Sequence, residues 1–211
     1  MDARTIILAA PVIIFSLTVH EFFHAWAANQ LGDPTAKNMG RLTLNPLAHL
    51  DLFGTLMMVA SSFRFGWAKP VPVNLLNLRN IRQGNLWISV AGPLSNIGLA
   101  LIAGTAIRLM DGAGLIGQVR ALDVFIFLMI TINCSLAVFN LLPIYPLDGS
   151  HIFRSLLPER FGATLDTIER FSPYILIFLI LSGWLTGVSL LWMILGPFVQ
   201  ALVYLVSGIG M

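Results

Sequence analysis

The last 41 residues, Phe171–Met211, contain no Asp, Glu, Lys, Arg or His. Laid out as one helix they would extend about 60 Å, roughly twice the hydrocarbon thickness of a bilayer. The run is therefore expected to fold back as a hairpin, with its break near Gly183–Gly187. No water-soluble domain has a surface that could be built from such a stretch. The rest of the chain agrees. Of 211 residues, 57% are apolar and 10% charged, whereas a soluble domain has about a quarter charged. A cytosolic domain, a disordered chain and a disulfide scaffold (there is one Cys) are excluded on these grounds. The net charge of +2 gives no reason to invoke nucleic acid. What remains is an integral membrane protein with the lipid bilayer as its solvent.

Three further stretches are long enough to span: Thr5–Leu31, Leu86–Leu109 and Ala121–Leu142. Gly32-Asp33-Pro34 ends the first. Leu52–Phe63 is apolar but too short to cross alone. The Pro-interrupted Phe65–Asn77, FGWAKPVPVNLLN, has the pattern of an extended edge strand. The expected fold is an all-α polytopic membrane protein, a bundle of about five to six transmembrane helices with a re-entrant or extended β-like segment near residues 52–77. Pro143–Arg170 is expected as a loop. If Leu52–Phe63 does not cross, nine of the twelve basic residues fall on one side: Lys37, Arg41, Arg64, Lys69, Arg79, Arg82, Arg154, Arg160 and Arg170. By the positive-inside bias that side is the cytoplasm.

Inside the first span lies His20-Glu21-Phe22-Phe23-His24, an HExxH pattern. Residues four apart share a helix face, so both imidazoles can reach one metal ion, with Glu21 beside them as a proton acceptor. Ionisable groups within a spanning helix are costly and usually functional. The bland alternative pairs Glu21 with a neighbouring Lys or Arg, yet no other span has one in its interior. Eight helical residues separate His24 from Gly32, which puts the metal roughly 12 Å inside the helix end. A catalytic zinc takes three protein ligands. The remaining acidic candidates are Asp33, Asp51, Asp111, Asp123, Asp148, Glu159, Asp166 and Glu169, with His49 and His151 as further donors. Asp148 stands out, because it follows a span within FNLLPIYPLDGSH and shares a membrane side with the end of the first span. His49 has two readings, a partner of the metal site or a loop histidine bonded to backbone. Asn96 in AGPLSN is expected to hydrogen-bond between helices, with Gly92 and Ser95 as close-packing positions. Cys134 is expected to be plain packing.

The set HEFFH, GRLTLNPLAHLD (40–51), FGWAKPVPVN (65–74), AGPLSN (91–96) and FNLLPIYPLDG (139–149) resembles the site-2 protease family of intramembrane zinc metalloproteases. The likeness covers residues 5–155, and Tyr145 departs from it where relatives often carry Pro. The resemblance implies one Zn2+ per chain on His20, His24 and Asp148, Glu21 as general base, and Asn140 holding the scissile carbonyl or its oxyanion. It also implies a substrate that is a transmembrane protein or peptide. The whole chain, 1–211, is then one membrane-embedded metalloprotease domain with core 5–155 and C-terminal hairpin 171–211, without a PDZ or CBS domain. It would lie in a prokaryotic cell membrane with its active site opening to the cytoplasm. The edge strand near 65–77 would suit strand addition by an extended substrate; the alternative is a loop on the membrane surface. A di-iron oxygenase needs more than four histidines, a metal transporter needs ligands along a crossing path, and a catalytically silent scaffold needs no Glu21. The sequence does not specify an oligomeric state.

Overall fold

The computed structural model describes residues 3–61 and 66–208. Among the described residues the chain forms eight α-helices: α1 (Ala3–Gln30), α2 (Thr35–Asn38), α3 (Leu52–Ala60), α4 (Ile81–Gly112), α5 (Arg120–Asn140), α6 (Asp148–Leu156), α7 (Gly162–Thr186) and α8 (Leu190–Ser207). Four of them, α1 from Thr5 onward, α4, α5 and α8, are long and apolar enough to cross a membrane. A fifth long helix, α7, carries Asp166, Glu169 and Arg170 in its first half. The charge-free tail does divide, at Gly187. This residue sits at φ 74, a conformation that glycine adopts without steric cost, and Ser189 then caps α8 by accepting from the Trp192 amide.

Helix α4 is the central post and packs against α1, α5, α6 and α8. Its lower half contributes Ala100, Ala103 and Ile107 to a core shared with Ile130 and Cys134 of α5 and Val199 and Val203 of α8. A Cβ at Gly104 would run into Val206, so α4 and α8 approach closely there. Ala9 and Val12 of α1 pack on Leu128 of α5. Asn80 starts α4 by accepting from the Gln83 amide.

Two stretches differ from the sequence expectation. The segment near 52–77 holds a nine-residue helix, α3, started by Asp51 capping the Gly54 amide. A single antiparallel bridge, Leu50 with Ala68, replaces the expected strand among the described residues. Prolines 70 and 72 remove the amides that a longer ladder needs. Phe63, Arg64 and Phe65, where one expected element ends and the next begins, lie outside the described residues. The stretch 143–170, expected as loop, contains α6 and the start of α7. Asp148 opens α6, where a carboxylate complements the helix dipole. Arg82, at the start of α4, donates to the carbonyls of Ser155, Leu156 and Leu157 and so closes its other end. Arg154 pairs with Asp166 and Glu169 and ties α6 to α7.

Asp33, just after α1, is fully buried. Its carboxylate accepts from the Thr35 amide and hydroxyl, the Asn74 amide and the Asn77 side chain. It thereby fastens the end of the 68–74 segment to the end of α1. Burial alone would raise the carboxyl pKa, but these hydrogen bonds outweigh it and hold the group below the ordinary 3.8. The corresponding stability is present above pH 3.8 and is lost as pH falls toward the depressed folded value. Asp33→Ala should cost about 3 kcal/mol. Thermal unfolding in detergent checks this: the wild type should lose stability below pH 4, and the variant should lack that component.

Candidate metal centre

Positions 20 and 24 lie one turn apart on the face of α1 that meets α4, and both imidazoles are buried. Their Nε2 atoms are 3.0 Å apart. Asp148 approaches from the first turn of α6, with Oδ2 3.2 Å from His20 Nε2 and Oδ1 3.3 Å from His24 Nε2. His20, His24 and Asp148 are the one group of three such donors brought together among the described residues.

Two glycines permit the convergence. A Cβ at Gly92 would overlap both imidazole rings, so α4 can back the HExxH face only as glycine. A Cβ at Gly149 would overlap the carbonyls of Leu141 and Leu142, so the turn after α5 folds tightly enough to bring Asp148 back only with glycine there. That turn includes a cis peptide bond between Tyr145 and Pro146.

The donor set fits a cation. His24 Nδ1 lies 2.7 Å from the carbonyl oxygen of Ile88. A carbonyl only accepts, so Nδ1 carries the hydrogen and the neutral ring leaves Nε2 as a bare lone pair. His20 Nδ1 faces the Asn96 side-chain oxygen at 2.7 Å. Asp148 Oδ2 is buried without a hydrogen-bond partner. Buried acceptors facing one another repel unless a proton or a metal cation joins them. Two imidazole nitrogens and one carboxylate oxygen are a set that zinc takes, with a fourth position left open for water or substrate.

Glu21 is buried beside this group and is not part of it. Its Oε2 accepts from the Val71 amide at 2.9 Å, so the expected alternative partner, a Lys or Arg side chain, is replaced by backbone. On the other edge of the same Pro70–Val71 peptide unit, Arg41 donates to the Pro70 carbonyl at 3.3 Å and also to the Lys69 carbonyl. One peptide plane of the chain is thus held between a guanidinium and Glu21. Asn140, at the end of α5, donates from its side-chain amide to the Leu136 carbonyl at 3.0 Å. His49 is buried and its Nε2 lies 2.8 Å from the Thr43 carbonyl, which is the backbone-bonded reading. His151 stacks edge-on against Tyr145 and is outside the cluster. Cys134 lies in the α4–α5–α8 core.

Sequence reasoning missed Arg41, Asn133 and Ser16. An amide at the middle of an apolar helix was a signal for Asn133, because it needs a partner in hydrocarbon. Nothing local pointed to Ser16 or to the Val71 amide.

A family model described as "Peptidase family M50" matches residues 114–183. A "Putative zinc metalloprotease YwhC" of Bacillus subtilis is 39% identical over 200 residues, covering 93% of this chain and 90% of that protein. A "Putative zinc metalloprotease Rip2" of Mycolicibacterium smegmatis is 31% identical over 140 residues, covering 64% of this chain and 52% of the relative. Its namesake in Mycobacterium tuberculosis (strain H37Rv) is 29% identical over 186 residues, covering 83% and 68%. No solved structure matches.

Gly92→Ala should force the imidazoles off their common point. Metal analysis after equilibrium dialysis against Zn2+ is expected to find bound metal in the variant reduced at least tenfold in affinity, with the helical content of the wild type retained.

Proposed function

The chain belongs to peptidase family M50, the site-2 protease family, and from that premise we propose that it is an intramembrane zinc metalloprotease cutting peptide bonds within or near transmembrane segments of other membrane proteins. The observation that carries this reading is the convergence of three buried donors, His20, His24 and Asp148, with Glu21 alongside. Family membership and the four apolar helices make it an integral membrane protein.

In this reading His20, His24 and Asp148 hold one zinc per chain. Zinc at such a site acts as a Lewis acid, acidifying a water and polarising a peptide carbonyl. Glu21 takes the proton from the attacking water and returns it to the leaving amine. Its Oε2 is engaged by the Val71 amide, so Oε1 is the oxygen left for the transfer. Asn140 binds the scissile carbonyl or its oxyanion; one hydrogen of its NH2 is engaged by the Leu136 carbonyl, which leaves the other to donate. The basic residues set the site toward the cytoplasm of a bacterial cell, and water enters from that side. A helical substrate must unwind locally before its peptide bond can meet the donors. A metal transporter would need acidic and His groups spaced along a path, and among the described residues they gather at one point.

Purified protein should bind about one zinc and cleave a model transmembrane substrate. Glu21→Gln should keep the metal and lose at least 100-fold in cleavage; cleavage surviving that change overturns the mechanism. Asp148→Ala should lower zinc occupancy, and unchanged occupancy would move the third ligand elsewhere. For orientation, single cysteines placed at residues 70–80 should react only from the cytoplasmic face of membrane vesicles, and labelling from the outer face would reverse it.

A further inference from the structure

Behind the candidate centre lies a buried polar chain that crosses three helices and touches neither a reacting atom nor solvent. Its far end is the Met129 carbonyl of α5, which lies 2.8 Å from one end of the Asn133 side chain. A backbone carbonyl has no hydrogen to give, so that end of Asn133 is its NH2 group. The same NH2 also donates to the Ser16 hydroxyl at 2.9 Å. The oxygen of Asn133 therefore points the other way, 2.9 Å from the side chain of Asn96 on α4. An oxygen there requires the NH2 of Asn96, which also lies 3.4 Å from the Ser16 carbonyl. The remaining end of Asn96, its oxygen, is then the atom 2.7 Å from His20 Nδ1. Each amide is oriented by the one before it, and the first is oriented by backbone.

The consequence falls on the imidazole. An acceptor facing Nδ1 requires Nδ1–H, and a neutral ring protonated there has its lone pair on Nε2, the atom aimed at His24 and Asp148. Asn96, Asn133 and Ser16 are all fully buried. In such surroundings the reverse arrangement of either amide would set two acceptors or two donors together. We propose that Asn96, itself oriented by Asn133 and Ser16, is a positioning residue that fixes His20 as the Nδ1–H tautomer and so presents Nε2 as a ligand before any metal arrives. The inference rests on the reading of His20, His24 and Asp148 as a zinc site. His24 reaches the same tautomer through the Ile88 carbonyl, so α4 sets both imidazoles, one by side chain and one by backbone.

The test separates positioning from mere packing. Asn96→Leu keeps the volume and removes the acceptor; zinc affinity of the intact protein in detergent, measured by chelator competition, should fall 10- to 100-fold. Asn96→Asp restores an acceptor for Nδ1–H but cannot donate to Asn133. It should recover most of the zinc affinity while remaining as thermally destabilised as Asn96→Leu. Affinity unchanged in Asn96→Leu overturns the proposal, as does Asn96→Asp binding zinc no better than Asn96→Leu at equal folded fraction. If the wild type itself binds no zinc, the metal reading fails and not the tautomer assignment. That assignment has its own readout: 15N NMR of ring-labelled histidine in the wild type should find His20 Nδ1 protonated in both metal-free and zinc-loaded protein. An unprotonated His20 Nδ1 in either state overturns it even if no variant folds.

Discussion

In hydrocarbon a polar atom has no water to fall back on, and each must find its partner inside the protein. The helix bundle is arranged around that demand at one level, where Ser16 and His20 of α1, Asn96 of α4 and Asn133 of α5 share a continuous run of hydrogen bonds. The demand is met along this run and left unmet beyond its end, on Asp148 Oδ2. The apolar packing on either side serves this level. Gly92 lets α4 approach the imidazoles, and the α4–α5–α8 core holds α5 where Asn133 can reach. A substitution that moves α4 by a fraction of an ångström would disturb the metal donors and the amide run together.

The basic residues of the polar segments have a structural role. Arg41 holds the carbonyls of Lys69 and Pro70, Arg82 holds the last carbonyls of α6, and Arg154 joins α6 to α7 through two carboxylates. The guanidiniums of Arg41 and Arg82 thus satisfy carbonyls that lack a helical partner. Asp33 does the same for amides, with opposite charge. The segment from Ala68 to Asn74 is consequently fastened at His49, Arg41, Glu21 and Asp33 without being part of any sheet.

The spans and the HExxH donors were legible because hydropathy over 20 residues and a spacing of four are local properties. Helices α1, α4 and α5 fall within five residues of the sequence expectation at each end. Asp148 was legible for another reason, since its prolines and glycine announce an irregular turn next to a span. Less legible were features that depend on what lies across the fold. Asn133 has no neighbour in sequence that explains it, and its orientation comes from a carbonyl on its own helix and an amide on another. The edge strand was overestimated because alternating Val and Pro imitate extended chain, while ladder formation depends on a partner strand that the alternation cannot specify. Helix α6 was missed because nine residues with Gly and Ser carry a weak helical signal, and Arg82 closes it from 73 to 75 positions away.

The contact between Val71 and Glu21 also fixes an alignment. Val71 stands between Pro70 and Pro72, neither of which has an amide hydrogen. Of the three residues, Val71 is therefore the one that can donate to the carboxylate. If the segment slid by a single residue in either direction, it would present a bare ring nitrogen to Glu21 and leave a buried anion short of a donor. The two prolines act as stops on either side of one notch. Through them, the position of a surface segment relative to the Glu21 carboxylate is quantised to a single setting.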